Sequence, residues 1–191
     1  MRIIGGQYRS RVLASFKGEE IRPTADRVKE SLFNILSSRL YGARVLDLFC
    51  GSGALGLESL SRGAREAVFN DLSKDSLCVL RKNVAMLGVQ SQAKIYNYDY
   101  AQCLAALRGK FDVVFIDPPY RTEYGLKALN AVMEHDLLAQ KGIAVFERDR
   151  PFEEAGLTDR LVLTDERKYG KTYLSFFARR EDGAEEEVKR E

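Results

Sequence analysis

Histidine is almost missing from this chain: His135 is the only one among 191 residues. A His-based nucleophilic triad or a multi-histidine metal centre therefore has little to be built from. Cysteine is nearly as scarce. Cys50, Cys78 and Cys103 are odd in number and widely spaced. This argues against a disulfide frame and a zinc site and for reduced thiols in a cytoplasmic protein. No apolar run is long enough to span a bilayer, and the opening Met1-Arg2-Ile3-Ile4-Gly5-Gly6 does not read as a signal peptide. The expectation is a cytoplasmic monomer with no membrane partner and no metal.

What the chain does have is one glycine-rich stretch around which the rest is arranged, Val45-Leu46-Asp47-Leu48-Phe49-Cys50-Gly51-Ser52-Gly53-Ala54-Leu55-Gly56. Val45, Leu46 and Leu48 read as a buried strand. Gly51, Gly53 and Gly56 then permit a tight turn and a close approach of backbone to ligand. A helix opening near Ala54 adds free N–H groups and a partial positive charge. Asp71 closes the next apolar run, Ala67-Val68-Phe69, where an acid can accept hydrogen bonds from both hydroxyls of a ribose. The pattern predicts a pocket for an adenosine-bearing cofactor, with Phe49 and Ser52 counted among its residues. Its glycine spacing fits NAD as well as S-adenosylmethionine. Asp47 favours the latter: an acid just before the turn repels a pyrophosphate but suits the ammonium of a methionine moiety.

The length suits one domain. Strands are predicted at 43–48, 66–70, 92–97, 111–116 and 142–147, alternating with helices at 54–62, 73–87, 100–107 and 123–134. This alternation predicts an α/β, doubly wound, mainly parallel sheet with ligands at the C-terminal strand ends. Leu161-Val162-Leu163 and Tyr173-Leu174-Ser175-Phe176-Phe177 are joined only by a loop containing Gly170, so a closing antiparallel hairpin is expected. Residues 1–40 read as a small hairpin–helix extension of the same domain. Arg2, Arg9 and Arg11 are displayed on the hairpin, Thr24 caps the helix, and Val28, Leu32, Ile35 and Leu36 form its apolar face. Residues 41–180 form the main domain. Residues 181–191 carry six acids and two bases with no apolar anchor and read as a disordered tail.

A second motif follows the fourth strand. Phe111-Asp112-Val113-Val114-Phe115-Ile116 runs straight into Asp117-Pro118-Pro119-Tyr120. The prolines end the strand and fix the backbone after Asp117. A carboxylate, the free carbonyl of Pro118 and an aromatic ring match a planar base bearing an exocyclic amine. The ring stacks on the base, and the two acceptors hold the amine protons and aim the nitrogen lone pair at a methyl donor. Asp99, after the third strand, either meets the adenine amine of the cofactor or caps the following helix.

Over nearly its whole length the chain resembles the RsmD family, which methylates the N2 amine of a guanine in bacterial small-subunit ribosomal RNA. The resemblance is carried by Met1-Arg2-Ile3-Ile4-Gly5-Gly6, Arg22-Pro23-Thr24-Ala25-Asp26-Arg27-Val28-Lys29-Glu30, Leu32-Phe33-Asn34-Ile35-Leu36, the glycine motif, Asp117-Pro118-Pro119-Tyr120 and Lys168-Tyr169-Gly170-Lys171-Thr172. It implies a class I methyltransferase (Rossmann-like) sheet. Asp47, Gly51, Gly53 and Asp71 would lie at S-adenosylmethionine, and Asp117 to Tyr120 at the base. Two departures stand out: Cys50 where a small alanine is common, and Asn70-Asp71 where the family usually has a hydrophobic residue and a glutamate. The Asp-Pro-Pro-Tyr element also fits an adenine-N6 methyltransferase acting on DNA or RNA. An NAD-binding oxidoreductase lacks an evident catalytic donor, and a binding module without catalysis has no need of Asp117 and Tyr120.

The implied partner is ribosomal RNA, naked or in a small-subunit particle or assembly intermediate. The first forty residues hold eight bases and four acids, a bias that suits a polyanion. Arg9, Arg11, Arg22, Thr24 and Arg27 are the candidate RNA contacts, with Phe33 or Asn34 at the entrance for the target base. Because this segment precedes the cofactor motif, the sheet is not expected to need it to build the pocket.

Overall fold

The computed structural model of the chain describes residues 1–15, 23–119 and 123–180. Arg22, Tyr120 and the tail at 181–191 lie outside them.

Strands β1 (Arg44–Asp47), β2 (Glu66–Asn70), β3 (Ala93–Tyr96), β4 (Phe111–Ile116), β5 (Leu138–Arg148), β6 (Leu161–Tyr169) and β7 (Thr172–Arg179) form one sheet in the order β3-β2-β1-β4-β5-β7-β6. The first five are parallel, and β7 runs antiparallel to both β5 and β6. This is the class I methyltransferase fold, and the chain reverses its direction of winding between β1 and β4. In such sheets ligands bind at that switch point, outside the C-terminal strand ends.

Side-chain alternation divides the strands between two cores. Val45, Ala67, Phe69, Val113, Phe115 and Val145 face one side. There they meet helices α1 (Pro23–Ile35), α3 (Ala54–Ser61) and α4 (Lys74–Leu87). Leu46, Val68, Val114, Ile116, Ala144 and Phe146 face the other, against α5 (Tyr100–Ala106) and α6 (Tyr124–Glu134). A short α2 (Ser37–Leu40) leads into β1. Local chemistry places the helix ends. Ser73 caps α4 by accepting from the Ser76 N–H, and Gly88 ends it at φ 70°. Among the described residues no helix is long and apolar enough to cross a membrane.

Three expectations shift. The fifth strand begins at Leu138 and the sixth runs on to Tyr169, because the antiparallel partner β7 continues the ladder past the apolar residues. Helix α1 starts at Pro23, which fits the first helical position because its missing N–H needs no partner there. Thr24 is therefore the second residue of the helix as described. The buried face of α1 also differs. Phe33 is fully buried while Ile35 is 38% exposed, so the stripe runs Asp26, Lys29, Leu32, Phe33, Leu36.

The N-terminal extension is sewn into the first core. Ile3 and Leu13 are buried there, and an isolated antiparallel bridge joins Arg2 to Val12. Glu58 on α3 is fully buried. It accepts from the backbone N–H groups of Ile4 and Gly5, both at 2.8 Å, from Arg62 Nε at 2.8 Å, and pairs with Lys29 Nζ at 3.3 Å. Burial pulls the Lys29 ammonium below its ordinary pKa, with the Glu58 carboxylate opposing the shift. Removing one member of such a buried set costs about 3–5 kcal/mol, because the others are left uncompensated. The extension is thus tied to α3 and packs into the first core. Asn83 on α4 accepts from the Ala14 N–H at 2.7 Å and donates to the carbonyls of Ala14, at 3.1 Å, and of Ser52, at 3.0 Å. Residue 14 and the glycine turn thus hang on one amide.

Candidate active site

The strand–turn–helix unit sits at the C-terminal end of β1. Gly51 and Gly53 adopt φ of 53° and 85°, a region that disfavours side chains. A Cβ on Gly56 would lie 2.2 Å from the Phe69 ring, so glycine there lets α3 press onto β2. A Cβ on Gly51 would meet nothing within 4 Å, so the backbone of this glycine is open to the approach of a ligand.

Two acids flank the turn. Asp47 is buried and accepts from the Gly56 N–H at 2.9 Å. Burial raises its pKa to about 7, against that hydrogen bond and aided slightly by Asp71. A cation placed beside it would restore the carboxylate. Asp71 is half-buried and bridges two backbone N–H groups, Gly51 at 2.8 Å through Oδ2 and Ser73 at 2.8 Å through Oδ1. A carboxylate has about four lone-pair sites, so both oxygens can still accept from ligand hydroxyls. Phe49 is half-buried, its ring 5.8 Å from Tyr100, which lies 5.5 Å from Tyr124. These rings form an aromatic rim. Ser52 is buried and held through its carbonyl by Asn83. Asp99 caps α5, accepting from the Ala101 N–H at 2.9 Å.

Asn70 has a role the sequence did not announce. It is buried and donates to the carbonyls of Leu48 and Tyr98, both at 3.2 Å, while accepting from the Tyr98 N–H at 3.1 Å. A hydrophobic residue there could not tie the end of β1 to the loop after β3. The departure at Asn70-Asp71 therefore has a structural purpose. Cys50 is buried nearby, and burial pushes its thiol pKa well up, reinforced by Asp47 and Asp71, so it stays protonated.

Across the switch point, Asp117 follows β4 and is half-buried, Pro118 is buried and Pro119 exposed. Burial drives the Asp117 pKa well above the ordinary carboxylate range, with the charges of Glu147 and Asp47 adding to the shift. The two prolines line a pocket of about 490 Å³ with Leu126, Phe146, Glu147 and Arg148. The Arg148 guanidinium lies over Phe152, 4.6 Å from the ring centroid. Its Nε donates to the Arg150 carbonyl at 3.1 Å, while its Nη2 is buried with no hydrogen-bond partner among the described residues. Neither the pocket wall nor Glu147 was visible in the motifs. Among the described residues no three His, Cys, Asp or Glu side chains gather closely enough to hold a metal ion.

The candidate RNA residues scatter. Arg9 and Arg27 share a second cavity of about 490 Å³ with Arg2, Asp26 and Glu30. Arg2 is bound there to Asp26 at 2.9 Å. Arg11 and Asn34 are exposed, and Thr24 lies in the first turn of α1. Phe33 does not line an entrance. It is fully buried, its ring 5.8 Å from Phe115 and under the Arg62 guanidinium at 5.2 Å. The aromatic side chain gains more from the core than from the cleft, and the helix rotates to bury it.

The family described as conserved hypothetical protein 95 matches residues 1–178. The chain is 38% identical over 156 residues to ribosomal RNA small subunit methyltransferase D of Haemophilus influenzae, covering 79% of this chain and 81% of the relative. It is 38% identical over 149 residues to the Escherichia coli protein of the same name, covering 78% and 75%. The solved structure of Escherichia coli yhhF superposes with a TM-score of 0.84 at 34% identity, covering 94% of this chain and 97% of that one.

Proposed function

The chain belongs to the RsmD family of methyltransferases, and on that premise we propose that it transfers a methyl group from S-adenosylmethionine to the exocyclic N2 amine of a guanine in small-subunit ribosomal RNA. The observation that carries the proposal is the adjacency of β1 and β4, which sets the glycine turn and Asp117-Pro118-Pro119 at neighbouring strand ends, close enough for the Asp47 charge to act on Asp117.

The residues of the cradle fit the cofactor. Gly51 leaves room for it, Asp71 keeps lone pairs for the ribose hydroxyls, Asp47 waits for an ammonium, and Phe49 flanks the space. Asp99 is engaged as the cap of α5, and an adenine contact would use its remaining lone pairs. When bound, S-adenosylmethionine supplies an electrophilic methyl on a good leaving group, so the protein's task is mainly alignment. The Asp117 carboxylate and the Pro118 carbonyl accept the two N2 protons and direct the lone pair. A carboxyl whose proton affinity is raised by burial is suited to take up the proton that N2 sheds once alkylated. Tyr120 follows as the stacking ring. Arg148 contributes an unspent donor in the pocket wall, suited to a carbonyl or phosphate oxygen of the target nucleotide. Arg9, Arg11 and Arg27 of the extension supply phosphate contacts, with Arg22 outside the described residues as a further candidate. The names of the relatives support a ribosomal RNA substrate; its form, free or within a small-subunit particle, and a cytoplasmic setting belong to the proposal.

The test is incubation with labelled S-adenosylmethionine and small-subunit RNA or particles, followed by nucleoside analysis. N2-methylguanosine is the expected product. N6-methyladenosine, or binding of NAD in place of S-adenosylmethionine, would overturn the proposal.

A further inference from the structure

The sheet register sets a second acid beside Asp117. Ile116 of β4 pairs with Phe146 of β5, so Asp117, just past the end of β4, and Glu147, within β5, follow from paired positions of neighbouring strands, whose spacing is roughly 4.8 Å. By alternation both belong to the face that carries Phe115 and Val145. The Glu147 charge is felt at Asp117, and Glu147 lines the same pocket as Pro118 and Pro119. Two adjacent carboxyl groups repel when both are charged. Holding an amine does not require the second one, because Asp117 and the Pro118 carbonyl already accept its two protons.

The chemistry of the bases supplies a use for it. The adenine amine has the N1 lone pair as its ring neighbour, and the cytosine amine has N3. Only the guanine amine is flanked by a ring donor, the N1–H. A second acceptor beside Asp117 therefore complements guanine and opposes the other two bases, whose ring lone pair would face a carboxylate.

We propose that Glu147 accepts the N1–H of the target guanine while Asp117 and the Pro118 carbonyl accept its N2 protons, so that Glu147 sets the choice of guanine over adenine. This inference rests on the methyl-transfer reading above. It makes Glu147 a residue that touches substrate and acts on selectivity more than on the methyl-transfer step.

The probe is an RNA in which the target guanine, mapped from the wild-type product, is replaced by 2-aminopurine. That base keeps the amine and lacks the N1–H. It also lacks O6, a loss common to every enzyme compared. Wild type is expected to favour guanine in kcat/KM by about 10- to 100-fold. Glu147→Gln keeps the shape, and its amide can either accept from N1–H or donate to a bare N1. The ratio should therefore fall by about tenfold or more, with S-adenosylmethionine affinity unchanged by calorimetry. If Glu147→Gln folds poorly, Glu147→Ala should narrow the ratio in the same way by losing guanine turnover while 2-aminopurine turnover holds. A wild-type ratio preserved in a folded variant overturns the role of Glu147 alone. A wild-type enzyme that makes no N2-methylguanosine overturns the methyl-transfer reading first, and this inference with it.

Discussion

Around the glycine turn the polar groups are answered from within the chain: Asp47 by the Gly56 N–H, Asp71 by Gly51 and Ser73, Asn70 by Leu48 and Tyr98, Asn83 by Ala14 and Ser52. Across the switch point the β4–β5 side is less complete. The Glu147 charge adds to the raised proton affinity of Asp117, and Arg148 keeps a buried nitrogen without a hydrogen-bond partner among the described residues. An unpaired buried polar atom is expensive, so this nitrogen is the place in the pocket wall where a further acceptor would gain most. The contrast suits a cradle that takes the same small molecule in every cycle, facing a pocket whose hydrogen bonds are completed by a large substrate.

The sharpest way to separate the two sides is Asp117→Ala. Methyl transfer should drop by about 100-fold or more while S-adenosylmethionine affinity, read by calorimetry, stays near wild type. An equal loss of cofactor binding would mean the sides are not independent. Next in size is Gly56→Ala, which drives a Cβ to 2.2 Å from the Phe69 ring. Denaturant unfolding should show a loss of about 1–3 kcal/mol, and a neutral result would mean α3 is free to move off β2. Asp71→Ala removes the partner of the Gly51 N–H together with the ribose acceptor. The expected effect is a weaker Kd for S-adenosylmethionine, by about 5- to 100-fold, with turnover at saturation largely kept.

The pH dependence of cofactor binding tests Asp47. Its pKa is raised to about 7, and an ammonium partner favours the ionised form. Affinity should therefore be full above the pKa and fall as pH drops through it, by about tenfold from pH 8 to pH 6. A flat profile would remove Asp47 from the cofactor. The smallest effect is expected for Arg148→Met, which keeps an apolar stem over Phe152 and deletes the unpaired donor. KM for RNA should rise about three- to tenfold with S-adenosylmethionine affinity unchanged. Unaltered RNA kinetics would show that the unpaired nitrogen is not completed by substrate.

What could be read from the sequence was what is encoded locally. The glycine spacing, the proline pair after an apolar strand and the βα alternation each depend on neighbours within a few residues, and each stands in the structure where it was expected. The misread positions depend on partners far along the chain. Phe33 and Ile35 are equally plausible core residues until it is known which face of α1 meets Phe115. Asp26 and Lys29 look like surface charges until Arg2 and Glu58 arrive. Asn70 and Asn83 are anonymous amides until three separate segments converge on them. Glu147 becomes Asp117's neighbour only through the register of β4 on β5, which shifts between Phe111 and Val113 and could not be counted from the sequence.

The Glu58 node also has a consequence for the order in which the molecule is made. Ile4 and Gly5 find their acceptor 54 and 53 residues downstream, and Ala14 finds Asn83 69 residues on. A growing chain emerges N-terminus first, so residues 1–14 leave the ribosome long before anything exists for them to hold. They must wait, basic and unpaired, until α3 and α4 have followed. Only then can this segment close over the first core, so residues 1–14 precede their partners in synthesis and settle after them.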